Sequence, residues 1–573
     1  MKEELMDFAI TNNLNPFNED KSLIKISGEN IFKTRDARSV HQKLINQISA
    51  NFVFEDTFNL WNFFNFTKNF SEIKRRQDFF RELPKSGKTF LNKMIAPRKK
   101  WKPRYEIAAV TEDEATFVQL DKLGCTAILL ISENDILDLE KYDIIQMIDC
   151  NDFKILLERL PQTIFIDSIE NIYLERYLEI LSGWKENFDV LSKEKTSDEM
   201  NDLINFLSKL FDLIDNQEGK IISESEIERM LEDINGKISH EIKQMTITGE
   251  GLLNILGQGK MPQKIVEIIR KSVEESGLPE HLFNIKIPVT IDREELDAQI
   301  KRESTNEFTN LAERIKKNSK ELKQIPKILE KLSALLLVED FCNGIYLWIN
   351  EGKRFPIYSE NLYFSDAKNI FLKNATPISF QLDKFNKCSV LTGANSGGKT
   401  TLLEHILQNI SLFQLGLPID GEIHMPIFSE IYYFAKNKGS ASKGAFETLL
   451  SQMSKIKPGN QTLILADEIE AVTEPGVAGK IISATIDYFV KKNCFLVIAT
   501  HLGQEIKKTL PEFTRIDGIE AKGLDENFNL IVDHNPVMGR LAHSTPELIV
   551  ERMANFFDEE YFRHLQKSLK KDI

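Results

Sequence analysis

Apolar positions change period several times along the chain, and each change marks a change of element. Over residues 56–82 the aromatic-rich NLWNFFNFTKNF runs into the charged SEIKRRQDFFREL. The pattern predicts helix, with Phe63, Phe64 and Phe66 on a core-facing stripe rather than a base-stacking platform, because aromatics at helical spacing usually serve packing. Between 105 and 167 the period shortens. The runs IAAV, AILLI, DIIQMI and TIFID alternate with helical segments such as FKILLERL, which predicts a small α/β unit with a structural role or a docking role. From 170 to 337 the pattern returns to helix. Leu203, Phe206, Leu207, Leu210, Phe211 and Ile214 fall on one face, and the glycines of TITGEGLLNILGQGK predict a reversal. Residues 293–337 carry Leu311, Ile315, Leu322, Leu329, Leu332 and Leu336 at spacings of three, four or seven. That is a long lever-like helix, which Pro326 should end or kink.

Composition narrows the class. At 573 residues the chain is long enough for about three to four domains. A formal charge of −14 excludes a surface coated in positive potential, so nucleic-acid binding would need a local basic stripe or a ring closed by two subunits. The most basic patch is APRKKWKPRY, with Arg98, Lys99, Lys100, Lys102 and Arg104 around Trp101. Pro97 and Pro103 make it a loop, either a holder of a phosphate backbone or a solvated linker. The five cysteines are far apart with no CxxC, which argues against zinc or disulfides and fits a reducing cytoplasm. The start MKEELMDFAI lacks the basic opening and apolar run of a signal peptide. No stretch approaches the ~20 apolar residues of a membrane span. A cytoplasmic protein is expected, nucleoid-associated if prokaryotic.

Three strand ends carry candidate chemistry. After the apolar run CSVLT comes Gly393, Ala394, Asn395, Ser396, Gly397, Gly398, Lys399, Thr400 and Thr401, then the helical LLEHILQNI. This is GxxxxGK[ST] between strand and helix, where backbone N–H groups and a helix N-terminus converge on phosphates. Lys399 is expected on the β- and γ-phosphates and Thr400 on Mg2+. The apolar strand TLILAD ends in Asp467 and Glu468. Asp467 is expected to hold Mg2+ through water, and Glu468 to polarise the attacking water. A third strand, FLVIAT, delivers His501, a candidate γ-phosphate sensor.

GANSGGKTT, LADE and ATH in this order resemble the MutS branch of the ABC-type ATPases, with Asn395 and the pair Gly397 and Gly398 as diagnostic positions. The likeness is strong over the last 200 or so residues and architectural before them. It implies a multidomain α plus α/β fold: an N-terminal segment and start of helical core (1–95), a small α/β insert with its basic linker (96–170), a helical core, lever and clamp-like region (171–345), and an ABC-type P-loop ATPase domain with a C-terminal helical dimerisation segment (346–573). The loop KGSASKGAF resembles the family's Ser/Gly-rich signature that reaches a partner's ATP, so a homodimer with two composite sites is implied. Gly444 and Ala445 stand where the family has Ser-Thr, which leaves Ser442, with Lys443 and Gly444, as the trans-acting candidates. EAVTEPG replaces the family's Gly-Arg-Gly-Thr-like loop, and GRLAHSTPELIVERMA resembles its C-terminal helical run.

Mismatch-reading and connector domains need about two domains of chain before the core, yet core-like helix begins near residue 56. The Phe17-Asn-Glu19 triplet resembles a mismatch probe, but 38 Phe make such a triplet expected by chance. No Smr-like tail is visible. The expectation is therefore a short-form, dimeric, ATP- and Mg2+-dependent clamp on DNA, acting on branched repair or recombination intermediates with partner proteins of those pathways and without a membrane. The competing readings are an ATPase acting on stalled ribosomes and a nucleotide-switched scaffold for partner proteins.

Overall fold

A computed structural model describes residues 1–18, 30–83, 89–98, 106–160, 163–194, 196–215, 224–244, 261, 263–276, 280–293, 295–296, 310, 313, 317–349, 352–393, 397–436, 443–468, 474–524, 530–542, 550, 553–557 and 559–569. It is mixed helical and α/β, with parallel sheets, and divides into two compact units. One is Met94–Leu329. The other joins Met1–Lys93 to Glu330–Ile573, so the N-terminal segment folds with the C-terminal part of the chain.

In Met94–Leu329 the predicted strands form. β1 (Ile107–Thr111), β2 (Ala127–Leu129), β3 (Ile144–Met147) and β4 (Thr163–Phe165) make an all-parallel sheet in the order β2-β1-β3-β4. Val110, Ile145 and Met147 are buried against Leu130, Ile136, Leu139 and Leu157. The Asp113 carboxylate accepts Thr116 N–H at 2.7 Å and starts the helix Glu114–Lys122, as an N-cap should. In the helix Asp198–Asp215 the buried stripe is Met200, Ile204, Leu207, Leu210 and Phe211. Leu203 and Phe206 of the expected face are only half-buried. Helices Glu224–Gln244 and Gln263–Ser276 share a core of Ile234, Ile238, Ile265, Ile269 and Val273, closed by the hairpin β5 (Phe283–Asn284) and β6 (Thr290–Ile291). The glycine-rich turn, the positions Lys99, Lys100, Lys102 and Arg104, and the lever positions Leu311 and Ile315 lie outside the described residues. Arg98 is exposed.

The break expected at Pro326 is present: the helix Ser319–Leu322 stops just before it and the helix Ile325–Trp348 starts with the proline in its first turn, which has no intrahelical use for the missing N–H. Residues Leu332, Leu335 to Val338, Phe341 and Ile345 are all buried, as expected of a helix that is apolar all round. The predicted helix over 56–82 is also interrupted: a 3-10 turn Glu55–Phe63 gives way to the α-helix Phe70–Arg81. Phe64 stacks on Phe341 at 5.3 Å and on Phe80 at 5.5 Å, which is packing as predicted. Phe63 and Phe66 are half-buried beside Phe8 and Phe32. Phe17 meets Phe54 edge-on at 5.9 Å.

The larger unit holds two sheets. An antiparallel one is built from β7 (Ile357–Tyr358), β8 (Leu362–Ala367), β9 (Ile378–Leu382) and β11 (Glu422–Met425), with β7 parallel to β11. The other is all-parallel: β10 (Cys388–Gly393), β12 (Glu430–Phe434), β13 (Thr462–Asp467), β14 (Phe495–Ala499) and β15 (Thr514–Ile519), in the order β12-β13-β14-β10-β15. Helix Lys399–Leu415 follows β10 and is buried along almost its whole length. The N-terminal segment covers the β12 edge. Ile431 N–H donates to Ile31 O at 2.8 Å, Lys33 N–H to Ile431 O at 2.9 Å, and the Thr34 hydroxyl to Tyr433 O at 2.7 Å. An otherwise unpaired strand edge is thereby capped within the chain, and Thr34 also N-caps the helix Arg35–Ile48.

A buried carboxylate and a half-buried imidazole yield predictions. The Asp340 carboxylate, fully buried, accepts the N–H groups of Val53 and Phe54 at 2.9 to 3.0 Å and the Thr57 hydroxyl at 2.6 Å. Asp340→Ala strands these donors and should cost about 3 kcal/mol. Asp340→Asn should cost less, as read from thermal unfolding midpoints. The His41 ring stacks on Phe32 at 4.8 Å and meets Phe66 at 4.9 Å, and burial pushes its pKa from 6.5 down to about 3. The folded state thus excludes a proton that the unfolded state takes up below 6.5. Stability is lost as pH falls from 6.5 towards 3, by up to about 1.4 kcal/mol per unit. His41→Phe should flatten that slope in unfolding midpoints compared between pH 7 and 4.5.

Candidate functional site

The sheet order brings three strand ends together. β14 lies between β10 and β13, so the C-terminal ends of all three open on one edge, the place where parallel α/β sheets bind ligands. β10 ends at Gly393, whose φ of +134° and close approach to Ile519 O leave no room for a Cβ. Gly398, at φ +92°, turns the chain into the helix Lys399–Leu415. Ala394, Asn395 and Ser396 lie outside the described residues. Gly397 and Lys399 are buried, Gly398 and Thr401 half-buried.

Lys399 Nζ donates to Gly393 O at 2.7 Å, folding back over the loop. The Thr400 hydroxyl donates to Asp467 Oδ2 at 2.5 Å, a close contact between the start of the helix and the end of β13. Asp467 Oδ1 is buried and has no hydrogen-bond partner among the described residues. A hard divalent cation binds oxygen donors of this kind, so the hydroxyl and the half-satisfied carboxylate fit magnesium.

Glu468, next along, sits at φ +47°, an uncommon conformation for a non-glycine residue. Its N–H donates to Ala499 O at 2.9 Å, tying it to β14. Glu468 Oε1 is 2.8 Å from His501 Nε2 and 4.0 Å from Lys399 Nζ, and Oε2 forms an ion pair with Lys436. The neighbouring carboxylates are pushed in opposite directions. Burial raises the Asp467 pKa above the usual carboxylate range, despite the Thr400 hydrogen bond. Burial would raise Glu468 too, but hydrogen bonds from Lys436 and His501 outweigh it and hold Glu468 below its ordinary value. Adjacent acids separated in this way can take separate roles.

The structure thus assembles Gly393, Lys399, Thr400, Asp467, Glu468 and His501 at one edge. Lys443 and Gly444 open the helix Lys443–Met453, while Ser442 lies outside the described residues. Sequence reasoning missed two groups. Lys436 follows the edge strand β12, and its strand-end position is the signal that could have found it. His534 follows the strand Leu530–Val532, with Nδ1 3.1 Å from Gly397 O. No motif spacing marks His534.

No protein-family model matches the chain. It is 28% identical to the DNA-binding protein MutS2 of Pyrococcus furiosus over 589 residues, spanning 94% of this chain and 99% of that protein. It is 25% identical to the endonuclease MutS2 of Aquifex aeolicus over 32% of this chain and 27% of that protein. With the DNA mismatch repair protein MutS of Thermotoga maritima it shares 23% identity over 50% of this chain and 37% of that protein. Among the described residues, no helix is long and apolar enough to cross a membrane. With correspondence over nearly the whole of both chains in one of these relatives, the chain is a homologue of MutS2 and MutS proteins.

Proposed function

We propose that this chain is a magnesium-dependent ATPase that works as a homodimer and binds DNA, with branched or otherwise non-duplex repair and recombination intermediates as its substrates. The observation that carries the reading is the convergence of Lys399, Thr400, Asp467, Glu468 and His501 from three adjacent strand ends. The names of its relatives in Pyrococcus furiosus and Thermotoga maritima support DNA as the partner.

The proposed chemistry follows from the donors and acceptors present. The N-terminus of the helix Lys399–Leu415 attracts the triphosphate, and Lys399 exchanges Gly393 O for phosphate oxygen. Magnesium, held by Thr400 and Asp467, would neutralise charge on the phosphates. Glu468 accepts a hydrogen bond from the attacking water, whose oxygen bonds to the γ-phosphorus as the bond to the bridging oxygen breaks, giving ADP and phosphate. His501 orients Glu468 and senses the γ-phosphate. Binding and hydrolysis then switch the helical regions between two states of different DNA affinity.

Three variants test the chemistry. Glu468→Gln should still bind ATP but turn over at least about 100-fold more slowly; normal turnover would sink the assignment. Lys399→Ala should lose ATP binding itself, measured by equilibrium titration. His501→Ala should bind ATP and hydrolyse it slowly, and an unchanged rate would leave it a structural residue. For the partner, a four-way junction should bind more tightly than plain duplex, and affinity should fall steeply with salt. Equal binding across a salt series would remove the structure-specific reading. Co-sedimentation with ribosomes in place of junction retention would replace DNA as the partner.

A further inference from the structure

We propose that Lys436 is a positioning residue for the proposed hydrolysis, pinning the Glu468 carboxylate for the attacking water while the start of the helix Arg35–Ile48 holds Lys436 in place. The inference rests on the reading of Glu468 as the group that polarises water. Its basis is the two-sided grip on that side chain: His501 engages Oε1 at 2.8 Å and Lys436 engages Oε2. Two donors on opposite oxygens fix both the direction and the plane of a carboxylate, which a single donor leaves free to rotate. An ionised carboxylate offers about four lone-pair sites, so acceptor capacity remains for water.

Lys436 is itself held through the backbone before it. Ala435 N–H donates to Asp36 Oδ2 at 3.1 Å, Tyr433 N–H to the Thr34 hydroxyl at 3.0 Å, and Lys33 pairs with Glu430 at 3.5 Å. The segment 31–36 therefore clamps β12 up to the residue that precedes Lys436. The Lys436 side chain is 48% exposed, which makes it a poor candidate for a structural anchor and a good one for substitution without unfolding.

The test compares Lys436→Met and Lys436→Arg in the full chain, alone and combined with Glu468→Gln, under single- and multiple-turnover conditions with ATP. The expected result is a roughly tenfold lower kcat for Lys436→Met, with KM within about twofold and the thermal midpoint unchanged. Lys436→Arg should restore most of the rate. In the Glu468→Gln background, Lys436→Met should cause no further loss, because it acts through the same carboxylate. An unchanged kcat, a raised KM with normal kcat, or an equal loss in both backgrounds overturns the positioning role. Normal turnover by Glu468→Gln alone overturns instead the reading of Glu468 on which the inference rests.

Discussion

The Thr400 hydroxyl on the Asp467 carboxylate, at 2.5 Å, is the contact on which the site depends. It joins the first turn of the helix that follows β10 to the end of β13, two strands away with β14 between them. Such a contact forms only if three parallel strands keep register, because a slip of one residue would turn each strand-end side chain to the opposite face. Asp467 pairs with Ala499, so β13 and β14 finish level, and Leu391 pairs with the same Ala499, so β10 runs two residues further to Gly393. Glu468 then leaves the sheet in a left-handed conformation, and its N–H stays bonded to Ala499 O. The backbone thereby carries the carboxylate back towards Lys399 and His501.

Around that junction the structure uses buried polar groups as ties rather than as isolated charges. Asp517, fully buried within β15, accepts from Ser389, Arg515 and Gly539, and Arg515 also reaches Gln381 O at 2.7 Å. Asp340 ties the apolar helix Ile325–Trp348 to the chain at Val53 and Phe54 in the same manner. Each carboxylate meets several donors, the condition under which burying a charge is tolerable. These ties also explain how residues 1–93 come to belong to the same unit as the five-stranded parallel sheet. The segment 31–36 completes a sheet edge, and the helix behind it packs on the buried helix Lys399–Leu415.

Much of this was legible from residue order. Continuous apolar runs such as LILA and LVIA announce strands buried on both faces, and they form. The spacing GxxxxGK[ST] announces a glycine-lined turn into a helix N-terminus, a local geometry set by φ at Gly393 and Gly398. Asp467, Glu468 and His501 were recognisable because each stands at the end of such a run. The strands of the small α/β sheet were equally visible, since their period differs from that of the helices on either side. The proline at position 326 marks a helix break as it reads, with one helix ending before it and the next beginning there. What failed was continuity over 56–82, where a 3-10 turn precedes the α-helix Phe70–Arg81, since periodicity alone does not distinguish the two.

Sequence alone thus determined most of the strands and helices, though not the interruption within 56–82, and which strand ends carry the glycine-rich loop and the carboxylates, because these follow from steric and periodic rules acting over a few residues. Tertiary structure decided what stands beside what. Strand order depends on long-range pairing that no local pattern encodes, and it set β14 between β10 and β13 and β12 at the edge. Only that order puts Lys436 on Glu468 and the segment 31–36 on β12. His534 reaches Gly397 O through the same kind of contact, across 137 positions of chain, a separation at which side-chain identity carries no signal until the fold has closed.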